Sequence, residues 1–230
     1  MAGLRPRRIT RLLPWLAAAL VGHVQAQTQA QTPSQTPALT RSPSTAPSTA
    51  APALSTAPAP STAPAVYALD PQHSFVHFEV LHFGTSTSRG RFGPVQGQVT
   101  LDRARGQGEV ALRIPTASVD TGLAVFNARL RQADLLDSAG HPEAFFVARQ
   151  LRYDGSALAE VRGEFTLRGI GQPLSLIARQ FSCRVDAGVE VCGGDFEATI
   201  LRSEFGATFG LPLVGDRVRL VVQVEGRRIP

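Results

Sequence analysis

Apolar and polar residues alternate with a period of two over most of residues 65–230, and this pattern constrains the fold more than any other feature of the chain. Successive side chains of a β-strand point to opposite faces, so this period predicts strands with one buried face. In residues 161–168, for example, apolar residues or glycine at odd positions alternate with charged or polar residues at even positions. We predict strands near 73–83, 89–102, 107–115, 144–153, 158–168, 173–185, 189–201 and 216–226.

About eight strands in one domain of this length match an all-β antiparallel barrel or a sandwich. Closing the sheet into a barrel removes its exposed edges. The interior of an eight-stranded barrel holds packed side chains or one slim ligand. The strand pattern therefore directs attention to what fills the interior.

One segment departs from the strand pattern. Ser118–Gly122 offers helix-capping residues, and apolar or small residues then follow at helical spacing. The residues with this spacing are Leu123, Phe126, Leu130 and Ala133. We predict a short helix that ends by Asp137 and covers one barrel opening.

The first 64 residues predict export rather than a folded domain. Four arginines precede the apolar run Leu12–Val21, and small residues lead to Ala26, which is typical of a secretory signal peptide cleaved after Ala26. The apolar run is shorter than the roughly 20 residues needed to span a bilayer. Residues 27–64 are rich in Pro, Ala, Ser and Thr and predict a disordered linker, either a spacer or a tolerated tail. We expect a periplasmic protein whose barrel occupies residues 65–230.

Charge argues against a nucleic-acid partner. The chain carries a formal charge of +5, but five of its 23 basic residues lie before residue 65. Residues 65–230 therefore hold 18 basic and 18 acidic side chains, and the domain is neutral. No basic stripe with interleaved aromatic residues occurs, so we predict that the protein binds no nucleic acid.

The two cysteines fit a structural disulfide. If Ala187-Gly188 forms a two-residue hairpin loop, counting outward places Cys183 opposite Cys192 in a non-hydrogen-bonded pair, where Cα atoms approach most closely. An exported chain with two cysteines supports one bond between them. The alternatives are a redox pair or a metal site, although C-x8-C is neither a thioredoxin-type nor a zinc spacing.

No motif of an enzyme active site occurs, and we predict neither an enzyme nor a cofactor. His73 and His77 lie on one face of the first predicted strand and His82 lies on the other. A metal would thus find two imidazoles there and need ligands from elsewhere, so we predict no metal site. His82 follows the apolar face of this strand. It is either a contact for a ligand headgroup or a buried histidine satisfied by the backbone.

An ordered series of short motifs between Tyr67 and Gly226 resembles the YceI-like family. The series comprises Asp70 with His73-Ser74, Phe78-x-Val80-x-His82-x-Gly84, Arg89-Gly90-Arg91-Phe92, Ser118–Gly122, Leu130-Arg131-x-Ala133-Asp134-Leu135-Leu136-Asp137, His141-Pro142, Gly163-x-Phe165-Thr166-Leu167-x-Gly169 and Arg202-Ser203-x-Phe205-Gly206. The resemblance implies a lipocalin-like periplasmic barrel whose elongated apolar tunnel holds a polyisoprenoid chain, such as an isoprenoid quinone. This chain departs from the family in two respects. Asn127 and Arg129 stand where the family often has Asp and His or Lys. The Cys183/Cys192 pair is not general to the family and resembles a feature of a subgroup.

The alternation and the resemblance together predict which residues contact the ligand. These are Val76, Phe78, Val80, His82, Leu112, Ile114, Leu130, Phe146, Phe165, Leu167, Leu174 and Leu176. The leading hypothesis is a periplasmic protein that binds, stores or transports an isoprenoid lipid. One alternative is an enzyme acting on such a lipid, with His82 near Ser118 or Thr121. Another is a stress-related or surface interaction protein. Two further interactions are to be tested, namely transient contact with a membrane and formation of a homodimer.

Overall fold

A computed structural model describes residues 64–230, and the predicted signal peptide and nearly all of the predicted linker lie outside these residues. The described chain consists mostly of β-strands. The strands are β1 (Ala65–Leu69), β2 (Phe75–His82), β3 (Ser86–Phe92), β4 (Gln96–Asp102), β5 (Gln107–Pro115), β6 (Glu143–Asp154), β7 (Ala157–Leu167), β8 (Ile170–Asp186), β9 (Val189–Leu201) and β10 (Val214–Arg228). One α-helix, α1 (Ala124–Leu130), and two 3-10 turns, Thr116–Ser118 and Arg202–Phe205, complete the list. No helix among residues 64–230 has both the length and the apolar character needed to cross a membrane.

The strands close into an antiparallel barrel. The ring runs β1-β4-β5-β6-β7-β8-β9-β10, and β1 closes it by pairing with β10 as well as with β4. Tyr67 in β1 lies opposite Val99 of β4 on one edge and opposite Arg228 of β10 on the other. The predicted eight-stranded antiparallel barrel is therefore confirmed.

The β2–β3 hairpin extends the wall at one end of this ring. β2 pairs with the first part of β10, from Val214 to Gln223, and β1 pairs with its last part, from Gly226 to Arg228. β1 and β2 thus act as two halves of one bent strand, and so do β3 and β4. The predicted strand 89–102 is broken at Gly93-Pro94-Val95, because proline has no N–H for a strand ladder. The five-residue strand β1 was not predicted.

The connections separate into two sets, which define the two ends of the barrel. We call the upper end the one that carries the β2–β3, β5–β6, β7–β8 and β9–β10 connections. The lower end carries the β4–β5, β6–β7 and β8–β9 turns together with Ala65 and Arg228. The helix and both 3-10 turns belong to the upper end.

The period-two pattern places the core inside the ring. On β5, β6 and β9 every second residue is buried, at 110–114, 144–148 and 196–200 respectively. A large apolar side chain contributes about 1.5–3 kcal/mol when it is fully buried. Seventeen residues form this cluster, namely Val95, Val110, Leu112, Ile114, Ala144, Phe146, Ala148, Leu158, Val161, Leu167, Leu176, Phe196, Ala198, Ile200, Phe205, Leu220 and Val222.

The β8–β9 hairpin has the predicted register and the predicted disulfide. Ala187 and Gly188 both have positive φ, 49° and 80°, as a two-residue type I′ turn requires. Cys183 lies opposite Cys192, and their sulfur atoms are bonded. The disulfide therefore links the two strands of this hairpin. Cys192 also packs in a second apolar cluster with residues of β1 and β4 at the lower end.

The short helix lies at one end of the barrel, as predicted, but it does not pack over the interior as expected. α1 contains no buried residue, and Leu123 and Phe126 are each more than half exposed. The helix ends at Leu130, within the predicted limit of Asp137, and turns follow it to Leu136. From this connection it is Leu136, after the helix, that packs on the core. An apolar stripe has the same helical spacing whether it faces the protein or the solvent. The spacing therefore could not show that this stripe is exposed.

Ion pairs link neighbouring strands on the outer face of the barrel. Glu160 on β7 is the most enclosed of these carboxylates, and its side chain is 8% exposed. Arg162 and Arg152 donate hydrogen bonds to it at 2.8 and 2.9 Å. Hydrogen bonds from Arg162, Arg152 and Ser175 lower the pKa of Glu160 to about 2.

This pKa predicts how Glu160 contributes to stability as pH changes. The folded protein keeps Glu160 ionised down to about pH 2, whereas the unfolded chain protonates it near pH 4.5. Its contribution is therefore complete above pH 4.5 and is lost as pH falls towards 2. The difference in unfolding free energy between wild type and Glu160→Gln, measured by urea titration, should shrink steadily over this window.

Glu109→Gln serves as the matched control, because Glu109 makes one exposed ion pair, with Arg149. Its difference from wild type should change far less with pH. If the Glu160→Gln difference is also constant down to about pH 3, the ionised pairs do not carry this stability.

A second prediction concerns the disulfide, which closes a loop with a sequence separation of nine. In the chain-entropy model a loop of this size stabilises the fold by about 2–3 kcal/mol. The double variant Cys183→Ser/Cys192→Ser should lose this amount in denaturant unfolding, and wild type with reductant should match it. Equal unfolding free energies for oxidised wild type and the double variant would show that the bond adds no stability.

Candidate functional site

The lower half of the barrel encloses a cavity. Residues of all eight strands of the ring contribute to its wall, because each strand turns every second side chain inward. The lining residues are Tyr67, Leu69, Val99, Leu101, Val110, Leu112, Phe146, Leu151, Leu158, Val161, Leu176, Phe181, Cys192, Gly193, Phe196, Val222, Val224 and Gly226. Within this lining only Tyr67 carries a polar side-chain atom. The cavity thus suits a hydrocarbon group.

The cavity measures about 60 Å³. An apolar cavity of about 150 Å³ is large enough for benzene, and drug-sized ligands occupy roughly 300–1,000 Å³. A chain of several isoprene units therefore fits only if other interior side chains move.

Aromatic side chains fill the interior above the cavity. Phe78 and Phe92 lie with their ring centroids 5.4 Å apart, and Phe165 meets Phe205 edge to face at 5.5 Å. Both distances fall within the favourable range for aromatic pairs. The Phe78 ring lies against the backbone of Gly90, where a Cβ would come within 2.5 Å of the ring. These two pairs separate the cavity from the upper end.

A polar cluster closes the cavity below. Tyr67 is 1% exposed, and its hydroxyl donates to Glu190 Oε2 at 2.9 Å while accepting from Arg103 at 3.2 Å. Arg103 also forms an ion pair with Glu190, and Arg228 approaches the same carboxylate at 3.5 Å. The tyrosine hydroxyl is thus directed out of the cavity and towards these charges.

The protonation states of Tyr67 and Glu190 indicate that this cluster has a structural role at the lower end of the cavity. Burial raises the pKa of Tyr67, and the hydrogen bond to Glu190 adds to the effect. Burial would also raise the pKa of Glu190, but hydrogen bonds from Arg103 and Tyr67 outweigh it, so that the pKa is lowered. At neutral pH Tyr67 is therefore a neutral donor to an ionised Glu190.

The predicted ligand contacts lie in different parts of the interior. Only three of them line the cavity, namely Leu112, Phe146 and Leu176. Two more are buried core residues, Ile114 and Leu167. Four are half-buried and pack on the core, namely Val76, Phe78, Phe165 and Leu174. The last three, Val80, His82 and Leu130, are half-buried outside both apolar clusters. Contact with a ligand stays a prediction for all twelve.

Most of the cavity lining was missed by the sequence reasoning, notably the residues of β1, β4, β9 and β10. Alternation shows which face of a strand is buried, but it does not give the height of a residue along the barrel axis. Counting residues from each hairpin turn would have supplied that height, because the turns at 103–106, 155–156 and 187–188 all lie at the lower end.

The groups considered for catalysis do not come together. The Ser118 hydroxyl donates to the carbonyl of Pro115 and accepts from the Gly93 N–H. The Thr121 hydroxyl donates to Asn127 Oδ1 at 2.8 Å. Both hydroxyls therefore support their own loop, and neither is bonded to His82, whose ring meets the edge of Phe83.

Among residues 64–230, two groups of side chains have the donor types of a metal site. Asp70, His73 and Glu225 bring one ligand atom each within 4.8 Å of one another at the barrel surface. Asp70 and His73 already bond to each other at 3.0 Å. In the second group, Cys183 and Cys192 with Glu190, the disulfide removes both thiolates.

Arg202 organises the upper end. Its guanidinium is buried and donates to the carbonyls of Gly215, Ala207, Phe209 and Val214. Burial lowers the pKa of Arg202. One side chain thus bonds four carbonyl groups and ties the β9–β10 connection to the start of β10.

Comparison with known proteins places the whole barrel in one family. A YceI-like domain matches residues 67–226. A UPF0312 protein of Ectopseudomonas mendocina is 33% identical over 172 residues, which are 71% of this chain and 88% of the relative. Protein YceI of Escherichia coli O157:H7 is 33% identical over 166 residues, which are 70% of this chain and 86% of the relative.

Solved structures share the fold at lower identity. BcnA of Burkholderia cenocepacia has a TM-score of 0.58 and 22% identity, over 68% of this chain and 98% of its own. A domain from Saccharophagus degradans, described as polyisoprenoid-binding and implicated in plant cell wall breakdown, has a TM-score of 0.54 and 20% identity. This match covers 71% of this chain and 98% of that domain. The closed barrel, its matched length and its curated relatives show that this chain belongs to the YceI family.

Proposed function

We propose that the protein binds the hydrocarbon chain of an isoprenoid lipid, or of a quinone-like amphiphile, inside its barrel. The observation that carries the proposal is an apolar cavity inside the barrel whose single polar lining group, the Tyr67 hydroxyl, is already bonded to Glu190. The polyisoprenoid-binding description of the Saccharophagus degradans domain supports an isoprenoid in particular.

Hydrophobic transfer supplies the affinity in this proposal. Each methylene-sized group that leaves water contributes about 0.8 kcal/mol, less the cost of ordering the chain. Apolar walls make no directional bonds, so they select a ligand by its girth and length. The lining offers no acid, base or nucleophile other than Tyr67, which favours binding over catalysis.

Loading requires the aromatic pairs above the cavity to change rotamer. Phe78, Phe92 and Phe165 are only half-buried, so their rings have space to move towards the surface, whereas Phe205 is 1% exposed. Movement of the first three would join the lower cavity to the upper end and create a tunnel along the barrel axis. The ring of strands itself stays closed, because opening it would break ladder hydrogen bonds.

We further propose that the protein stores or carries this lipid in the periplasm. The signal-like residues 1–26 support export. The Cys183–Cys192 bond supports an oxidising compartment, where disulfides persist.

Filling the cavity provides the test. Val222 is buried and lines the cavity, and Val222→Phe should occupy the space of the ligand at a cost of about 1–3 kcal/mol in stability. The full chain, exported into a bacterial periplasm and purified, should carry a stoichiometric prenyl lipid in native mass spectrometry. Val222→Phe should lose at least nine-tenths of that lipid, about a tenfold fall in occupancy.

Val221→Phe is the matched control, because Val221 adjoins Val222 on β10 and does not line the cavity. It should keep the lipid. Val222→Leu, a smaller change, should give intermediate occupancy and guards against misfolding of the phenylalanine variant. A wild-type barrel that is folded and empty would overturn the proposed function. Full occupancy in a folded Val222→Phe protein would place the lipid elsewhere.

A further inference from the structure

Large exposed apolar side chains are concentrated at the upper end of the barrel. Among residues 64–230 there are twelve, of which three lie on the barrel wall and one, Val185, at the lower end. The other eight surround the upper end, and we call them the upper rim. They are Leu81, Phe83, Leu123, Val125, Phe126, Ile170, Phe209 and Leu213, with exposures from 39% to 70%. Scattered exposed residues are ordinary, but a group of this size at one end indicates an interaction surface.

The upper rim is assembled from four separate connections. Leu81 and Phe83 adjoin the β2–β3 turn, residues 123–126 begin α1, Ile170 follows the β7–β8 turn, and two residues belong to the β9–β10 connection. The side chains lie in these connections or within two residues of them, around one end of the barrel, as suits insertion into a soft surface.

Polar interactions hold the upper rim in place. The Arg129 guanidinium lies 3.9 Å from the centre of the Phe209 ring and makes two hydrogen bonds of 2.7 Å to Asp134. The Phe83 N–H donates to the carbonyl of Leu213 at 2.8 Å, and Arg202 fixes the carbonyl of Phe209. These bonds preorganise the rim, so binding through it orders little additional chain.

The charge of the upper end indicates what it binds. The four connections, residues 83–85, 116–142, 168–169 and 202–213, contain four arginines and four carboxylates, and their formal net charge is zero. Recognition of an anionic membrane relies on clusters of basic residues, which this end lacks. An uncharged apolar rim matches instead the interface of a bilayer made of zwitterionic lipid, where apolar side chains insert beneath the headgroups.

We propose that the upper rim docks the barrel on the surface of a phospholipid bilayer by inserting its apolar side chains. The contact itself follows from the rim, while its purpose, the exchange of lipid with the membrane, rests on the proposed function. A bilayer fits better than a protein partner, because a fluid surface accepts apolar side chains from four separate connections without matching pockets.

Flotation with vesicles of pure phosphatidylcholine tests the proposal, using the full chain after export. Wild type should float with the vesicles, and neither added phosphatidylglycerol nor salt should change its partition coefficient markedly. The triple variant Phe83→Ser/Val125→Ser/Phe126→Ser should lose about tenfold or more in partitioning. Val185→Ser is the matched control, because Val185 is 73% exposed at the lower end, and it should partition like wild type.

Several results would overturn the docking surface. The proposal fails if the folded triple variant partitions like wild type, or if wild type binds only anionic vesicles. A wild-type dimer in sedimentation equilibrium that the triple variant loses would assign the rim to a second copy of the chain. Native mass spectrometry separates the two proposals. A lipid-loaded barrel that does not bind vesicles would overturn only the docking surface. An empty barrel that binds vesicles would overturn only the lipid-binding function.

Discussion

The pairing of β1 on both of its edges is the constraint on which the rest of the structure depends. Without Ala65–Leu69, both β4 and the last part of β10 would be open edges, and the cavity would lack Tyr67 and Leu69 from its wall. The upper half is built differently. There β3 pairs with β2 on one edge, and its other edge has a single bridge, between Arg91 and Asp120, within residues 64–230. A closed lower ring thus lies beneath a looser upper wall, whose interior is filled by aromatic rings.

This division determines how the interior can enlarge. A closed ladder fixes the girth of the lower cavity, because widening it would separate strands and leave backbone N–H and C=O groups unpaired. Space for a longer ligand must therefore be created by movement of side chains. The aromatic pairs above the cavity are in the position to create it by changing rotamer. The cost is the loss of ring contacts such as that between Phe78 and Phe92. A slim flexible chain requires less of this movement than a fused ring system does, which favours selection by girth.

Sequence patterns predicted the barrel, but they did not separate the residues that line the cavity from the rest of the interior. Period-two alternation placed the main strands, and hairpin counting from Ala187-Gly188 gave the register that joins Cys183 to Cys192. β1 was missed because five residues beside a linker give too short a pattern. The predicted ligand contacts mixed cavity, core and upper-end positions, because alternation does not encode height along the axis. The upper rim was not predicted for a related reason. The helical spacing of Leu123 and Phe126 does not indicate whether these side chains face the protein or the solvent.

The two proposals together define when lipid can move. Burying a prenyl chain in the barrel is favourable relative to water, but a bilayer interior is as apolar as the cavity, so transfer between the two changes the hydrophobic free energy little. Once undocked, a loaded barrel would retain its lipid, because release into water costs about 0.8 kcal/mol for each methylene-sized group. Docking through the upper rim would remove that barrier without any external energy source. The direction of transfer would then follow the lipid content of the membrane, and an exposed apolar rim is the feature that couples a closed cavity to it.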